Sequence, residues 1–271
     1  MGFLSNFHFP HPLLSALSAL SAVRQASGRR QAGGWLDITI TIYTMKPKGN
    51  LHPITNFLRE TIKIFESLGF EIYESPEVDN EWNNFDALNV AADHPARDEQ
   101  DTFWLTDGRV LRTHTSNGQV RAAKERKPPI RIVIPGRCFR NEATDATHET
   151  TFYQLEGLYI DRDVKIGHLL WTFKNFIEKM YGKNTEVRFR PHHYPFVEPG
   201  LDVDLKFNER WFEILGSGMV HPKVLKNMGI DSDKFSGYAF GLGIDRLVMR
   251  KYGIEDIRQF YSGDLRFLKQ F

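Results

Sequence analysis

Between Gly136 and Gly157 the chain reads GRCFRNEATDATHETTFYQLEG, and this stretch restricts the fold more than any other. Arg140 and Glu142 are two apart, the spacing that shares one face of a strand. A polar loop of about ten residues containing His148 follows, and the chain returns as Phe152-Tyr153-Gln154-Leu155-Glu156. Alternation places Phe152, Gln154 and Glu156 on one face and Tyr153, Leu155 and Tyr159 on the other. A ring, an amide and a carboxylate make a poor core. They make a good floor for a purine and an α-amino group. Taken alone, the same face also fits a solvated sheet. Together with Arg140 and His148, it converges on what a nucleoside triphosphate beside a small zwitterion requires.

Elsewhere the periodicities predict an α+β chain. Pro53 can open a helix continued by Ile54, Phe57, Leu58, Ile62, Phe65 and Leu68 and stopped by Gly69. Further helices are expected over 81–88, 116–125, 166–181, 222–228 and 243–251. Strands are expected over 70–73, 110–113, 130–134, 152–160, 186–190, 203–207, 210–215 and 238–240, with a short strand or extended arm at 35–43 and a loop at 89–101. Consecutive strands, rather than strict strand–helix alternation, point to an antiparallel sheet.

Composition narrows the class. At 271 residues with 41% hydrophobic content the chain can bury a sizeable core, and 21 Phe suit a packed interior or a partner interface. The net charge of +1 gives no global basic field, so any RNA contact is local or supplied by a partner. The single Cys138 excludes an internal disulfide and suits a reducing compartment. No apolar run is long enough to cross a bilayer. A cytoplasmic protein is expected. Residues 1–34 carry no Asp or Glu and form a separate extension, with the globular domain over 35–271. An organellar presequence, a reduced helical arm and an over-extended start all fit that extension.

Two more segments carry chemistry. Phe240-Gly241-Leu242-Gly243-Ile244-Asp245-Arg246 reads as a strand entering a helix, with Arg246 in the first turn; it is not a dinucleotide fingerprint, because the third glycine is missing. Thr113-His114-Thr115-Ser116 sits where a strand turns into a helix, a place where Thr115 or Ser116 is expected to cap. His192, His193 and His221 fit no zinc spacing.

The Arg140 to Glu156 stretch resembles motif 2 of class II aminoacyl-tRNA synthetases, and Gly241 to Arg246 resembles motif 3. The helix and strand ending at Pro76 have the form of motif 1. The blocks FDALNVAADHPARD, LRTHTS, DATHETTF, GMVHPKVL and YGIEDIRQF are similar to the bacterial phenylalanyl-tRNA synthetase alpha subunit, from about Leu36 to Phe271. The resemblance implies a six- or seven-stranded antiparallel sheet flanked by helices. It also implies that ATP, with Mg²⁺, activates L-phenylalanine for transfer to tRNA(Phe).

By the same resemblance, Arg140 contacts the α-phosphate, Glu142 the adenine amino group and His148 the terminal phosphates. Phe152 and Arg246 sandwich adenine over Gly241 and Gly243. Trp104, His114, Ser116, Gln154 and Glu156 surround the amino acid. Tyr194 and Phe196 clasp its ring edge-to-face, Ala239 closes the pocket base and Glu213 is the magnesium candidate. Tyr194 stands where relatives usually have Phe, so its hydroxyl is expected to offer a hydrogen bond to tyrosine and blunt discrimination; Asp245 stands where they have Glu. An alpha2beta2 heterotetramer with a beta subunit is implied. The tRNA-gripping coiled coil of the family is expected to be absent or reduced to residues 1–34. A tRNA-independent amino-acid-activating paralogue and an inactive binding fragment are the alternatives.

Overall fold

The computed structural model describes residues 49–90, 92–93, 102–207 and 209–271. The extended segment expected at 35–43, the boundary between residues 34 and 35, and most of the loop at 89–101 lie outside them.

The first helix, α1 (Pro53–Ser67), is capped by His52, whose Nδ1 accepts the Ile54 N–H at 3.3 Å. Pro53 fills a first-turn position where no N–H is needed. Gly69, at φ +85°, reverses the chain into β1 (Glu71–Ile72). Next come β2 (Val78–Asp79), α2 (Glu81–Asn84), a 3-10 turn (Asp86–Leu88), β3 (Val110–Leu111) and α3 (Asn117–Glu125). The long elements follow: β4 (Ile130–Phe139), β5 (Thr151–Asp161), α4 (Ile166–Tyr181), β6 (Val187–Tyr194), β7 (Val197–Phe207) and β8 (Arg210–Val220). Then come α5 (Pro222–Asn227), β9 (Ser236–Gly243), α6 (Ile244–Tyr252), a second 3-10 turn (Ile257–Phe260) and α7 (Leu265–Leu268).

Seven strands make one sheet in the order β1-β4-β5-β9-β8-β7-β6, and β2 pairs with β3 in a separate ribbon. The expected α+β architecture holds, with one exception: β1 runs parallel to β4, while the other pairs are antiparallel.

Alternation along the strands builds two apolar layers. On one face, Leu155, Tyr238, Phe240 and Leu242 pack against Phe57 and Phe65 of α1, Phe173 and Phe176 of α4, and Leu247 of α6. Phe65 stacks on Phe176 at 5.0 Å and on Phe240 at 5.1 Å, which accounts for part of the phenylalanine excess. On the other face, Ile132, Ile134, Leu158, Ile160 and Ala239 are covered by Phe85, Val120, Ala122, Val224 and Leu225. That second cover ends where the same column of β5 continues as Glu156, Gln154 and Phe152, which border a cleft.

Some elements differ from expectation. The helix expected over 81–88 divides into α2 and a 3-10 turn. The strands expected over 186–190 and 203–207 extend toward each other and join as a tight hairpin, with Tyr194 opposite Val197. The added residues fall within 191–202, where Pro191, Pro195, Pro199 and Gly200 interrupt the strand pattern. The paired strands are tied by charge: Arg188 and Arg190 both bond to Asp204, at 2.6 and 2.7 Å, and Arg190 lies 3.3 Å from Asp202.

Gly157 lies opposite Phe240, and a Cβ there would meet the ring's Cζ at 2.1 Å. That ring is held by Phe65, Phe70 and Phe173 and has no free side to move toward. Gly157→Ala is therefore expected to destabilise the fold by about 1–3 kcal/mol. Urea unfolding reads this as a lower midpoint; an unchanged midpoint means the aromatic cluster yields.

Candidate active site

The open end of the β5 face borders a cleft of about 560 Å³. Its cationic end is built from the β4–β5 loop and the start of α6. Arg140 follows β4; its Nε donates to the Thr113 carbonyl at 3.3 Å, and its guanidinium sits 4.8 Å from the Phe152 ring centre. Glu142 is 3.7 Å away from the same guanidinium. Asp145 shapes the loop by accepting the N–H groups of Thr147 and His148 at 2.6 and 2.8 Å, and its carboxylate lies 3.1 Å from the His148 ring. These N–H groups and the His148 ring hold the Asp145 carboxyl well below the usual range. His148 Nε2 in turn lies 3.4 Å from Arg246 Nη2. Three basic side chains on two elements thus share one rim.

The other end is acidic and buried. Glu156 is only 4% exposed and accepts Ser116 Oγ–H at 2.5 Å and Gln119 Nε2–H at 2.6 Å. Burial pushes its carboxyl up to about 7, against the downward pull of those two hydrogen bonds. Ser116 was expected to share a capping role, and it does not cap: its backbone is already helical (φ −64°, ψ −22°), and its hydroxyl serves Glu156. Thr115 does not cap either; its hydroxyl is buried without a protein partner. His114 is buried edge-on to Phe85, and burial together with the Arg140 and Arg112 cations drives it down to about 3, so it is neutral. Gln154 accepts a weak bond from the buried Cys138 thiol at 3.5 Å. Gln119 escaped sequence reading, although its place three residues after Ser116 on α3 puts both on one helical face.

The cleft brings together Arg140, Glu142, His148, Phe152, Gly241, Gly243 and Arg246 with His114, Ser116, Gln154, Glu156, Tyr194, Phe196, Ala239 and Glu213. Trp104 is the exception. It is 54% exposed, pairs with Val110 through a β-bridge, and does not line the cleft. The bridge ties it to the β3 ribbon instead. Tyr194 and Phe196 flank Pro195 at the hairpin tip and stack on each other at 5.4 Å and 20°. The Tyr194 hydroxyl donates to Asp202 at 2.8 Å beneath Gly216, where a Cβ would meet it at 2.6 Å. It is therefore engaged by the protein, not free to donate to a ligand. Gly241 is needed by a neighbour: a Cβ there would lie 2.9 Å from Gln154 Nε2.

Glu213 is half-exposed and pairs with Arg190 at 3.2 Å. No three potential metal ligands cluster among the described residues. A resident metal centre does not fit that donor set. A single carboxylate does fit a magnesium ion that arrives on phosphate oxygens and keeps its waters.

The raised Glu156 has a consequence for stability. The folded form holds its proton more tightly than the unfolded chain, so stability falls as pH rises from about 4.5 to about 7. Glu156→Gln is expected to remove that slope, worth about 3 kcal/mol in total. Unfolding titrations of the ligand-free variant and wild type between pH 4.5 and 8 measure it, and parallel curves would count against the buried charge.

Among the described residues no helix is long and apolar enough to cross a membrane. The family model for the class II core domain of tRNA synthetases (F) matches residues 35–271. The chain is 50% identical over 238 residues to the phenylalanine–tRNA ligase alpha subunit of Leptospira biflexa, covering 83% of this chain and 70% of that one. It is 47% identical to the corresponding subunit of Dehalococcoides mccartyi, covering 93% of this chain and 77% of that one. Among solved structures, pyrrolysyl-tRNA synthetase from Desulfitobacterium hafniense shares the fold with a TM-score of 0.61 at 18% identity, over 79% of this chain and 75% of that one. The chain belongs to the phenylalanine–tRNA ligase alpha-subunit family, built on the class II tRNA synthetase core.

Proposed function

We propose that the cleft activates L-phenylalanine with ATP and passes it to tRNA(Phe), a reading in keeping with the relatives' name, phenylalanine–tRNA ligase alpha subunit. The observation that carries this reading is the charge separation along one sheet face. Arg140, His148 and Arg246 stand at one end, and the buried Glu156 with Ser116 and Gln119 at the other. A zwitterion lying along that face puts its ammonium on Glu156 and its carboxylate toward Arg140. Its side chain then lies toward Ala239, which is 7% exposed at the cleft base.

The reaction needs no protein nucleophile. The amino acid's carboxylate oxygen attacks the α-phosphorus, an O–P bond forms, the bond to the β-phosphate oxygen breaks, and pyrophosphate leaves with that electron pair. Arg140 offsets the charge growing on the α-phosphoryl oxygens. His148 and Arg246 hold the departing phosphates. Phe152 offers a face for adenine, and Glu142 an acceptor for its amino group. Much of the rate comes from holding carboxylate and phosphorus in line. Glu213 is the carboxylate that would hold a magnesium ion brought on the nucleotide, and the ion would offset phosphate charge there. A beta subunit in an alpha2beta2 assembly and a cytoplasmic location complete the proposal.

Phenylalanine-dependent ATP–pyrophosphate exchange tests the reading, with the chain alone and co-expressed with a beta subunit. Exchange without transfer to tRNA would favour a tRNA-independent activating enzyme, and no exchange in either format by a folded protein would overturn activation. Arg140→Ala is expected to lower exchange by at least about a hundredfold, given its place at the charge that develops. Ala239 lies opposite Leu158 and Gly218, so Ala239→Gly deepens the pocket base. That variant is expected to activate 4-chlorophenylalanine; no gain over wild type would remove Ala239 from the pocket floor.

A further inference from the structure

The C-terminal segment after α6 touches the cationic rim at two points, at Ile257 and Asp245, which both border the cleft. The first is a backbone bond: Ile257 N–H donates to the Ala146 carbonyl at 2.9 Å, within the loop that carries His148. The second is a side-chain bond: the Tyr261 hydroxyl donates to Asp245 Oδ1. Asp245 is 2% exposed, and its other oxygen accepts the Tyr153 N–H at 2.6 Å. The residue after Asp245 is Arg246, whose guanidinium meets His148. The segment is itself anchored, because the Phe260 carbonyl lies 2.9 Å from Nε2 of His52 at the head of α1.

We propose that Tyr261 is a positioning residue for the phosphate end of the cleft, acting through Asp245 to fix Arg246 against His148. Tyr261 does not line the cleft, so it acts through its neighbours and touches no reactant. The chemistry is that of a short acidic side chain. Asp245 reaches the β5 backbone with one oxygen, and Tyr261 holds the other. With both oxygens engaged, the carboxylate cannot rotate, and the first turn of α6 keeps one orientation. The Ile257 bond sets the loop in the same frame, so the two arms that flank a triphosphate are referenced to one segment. At the amino-acid end Glu156 is held by Ser116 and Gln119, and Tyr194 and Phe196 by their own stacking, so none of those side chains takes part in these bonds; β5 is the one element common to both ends, through the Tyr153 N–H.

This inference rests on the reading of the cleft as a nucleotide site, and Tyr261→Phe in the full chain separates the two. The substitution removes one oxygen and keeps the ring. In phenylalanine-dependent exchange, KM for ATP is expected to rise roughly five- to tenfold, with KM for phenylalanine within about twofold of wild type. ATP binding measured by calorimetry is expected to weaken by a similar factor. A merely structural role would lower the thermal midpoint and move both KM values together or neither; either result overturns the proposal. Ile257→Pro deletes the other bond, and the extended Asp256 before it (φ −130°, ψ 114°) accepts a following proline. It is expected to weaken ATP selectively as well, and equal loss for both substrates would again overturn the clasp. A wild-type chain that binds no ATP overturns the nucleotide reading and this inference together. Normal ATP binding by both wild type and Tyr261→Phe overturns this inference alone.

Discussion

Strand β5 is hydrogen-bonded along both edges, to β4 and to β9, and its register decides which residues face the cleft. Leu155 and Glu156 are neighbours in sequence with opposite destinations, one fully buried among phenylalanines and one under the hydroxyl of Ser116. A slip of one residue would exchange them, leaving a carboxylate in the aromatic layer with no donor. The register is defended by fit on both sides. Gly157 makes room for the Phe240 ring, and Gly241 for the Gln154 amide. The site is therefore not an addition to the sheet: its residues occupy the alternate places of the strands that form the core.

The cost of that arrangement is concentrated at Glu156. A buried carboxylate is tolerable only when donors replace water, and here Ser116, just before α3, and Gln119 within it supply them. Both donors approach from the start of the same helix, so α3 must hold its place. It does so through a second buried carboxylate: Asp79 accepts Arg121 and Asn117 of α3 together with Asn83 of α2. The small β2–β3 ribbon, which adds little to the core, acquires its purpose this way. It carries Asp79 to the helix that carries the donors for Glu156.

Features governed by a short period were legible in the sequence. The alternation of Phe152, Gln154 and Glu156, the helical spacing of Ile166–Tyr181 and the placement of Arg246 in a first helical turn all reappear in space. Features set by partners far along the chain were not. Ser116 has the composition of a cap, yet its hydroxyl bonds to a residue 40 positions away. The β6–β7 hairpin is stitched by arginines and aspartates whose pairing no local pattern reveals. Trp104 shares the character of a pocket residue, but a β-bridge to Val110 decides where it lies. Likewise Asp245 reads as a shortened acid, and only the fold shows that Tyr261 and Tyr153 engage both of its oxygens.

The same sheet face explains why the two ends of the cleft do not neutralise each other. Arg140 could in principle reach back toward Glu156, but its Nε is tied to the Thr113 carbonyl and its plane lies over Phe152. Glu156 is held in the opposite direction by α3. The same cleft is lined by His114, kept neutral by burial and the nearby arginines, and by Gln154, which carries no charge. For the zwitterion proposed to lie there, a charged histidine at that point would repel the ammonium from Glu156 and draw the carboxylate away from Arg140. Holding it neutral keeps the acidic and basic ends of the cleft apart, the polarity that the proposed zwitterion needs. Burial, usually a penalty for an ionisable group, here removes a charge from the one position where it would disturb that alignment.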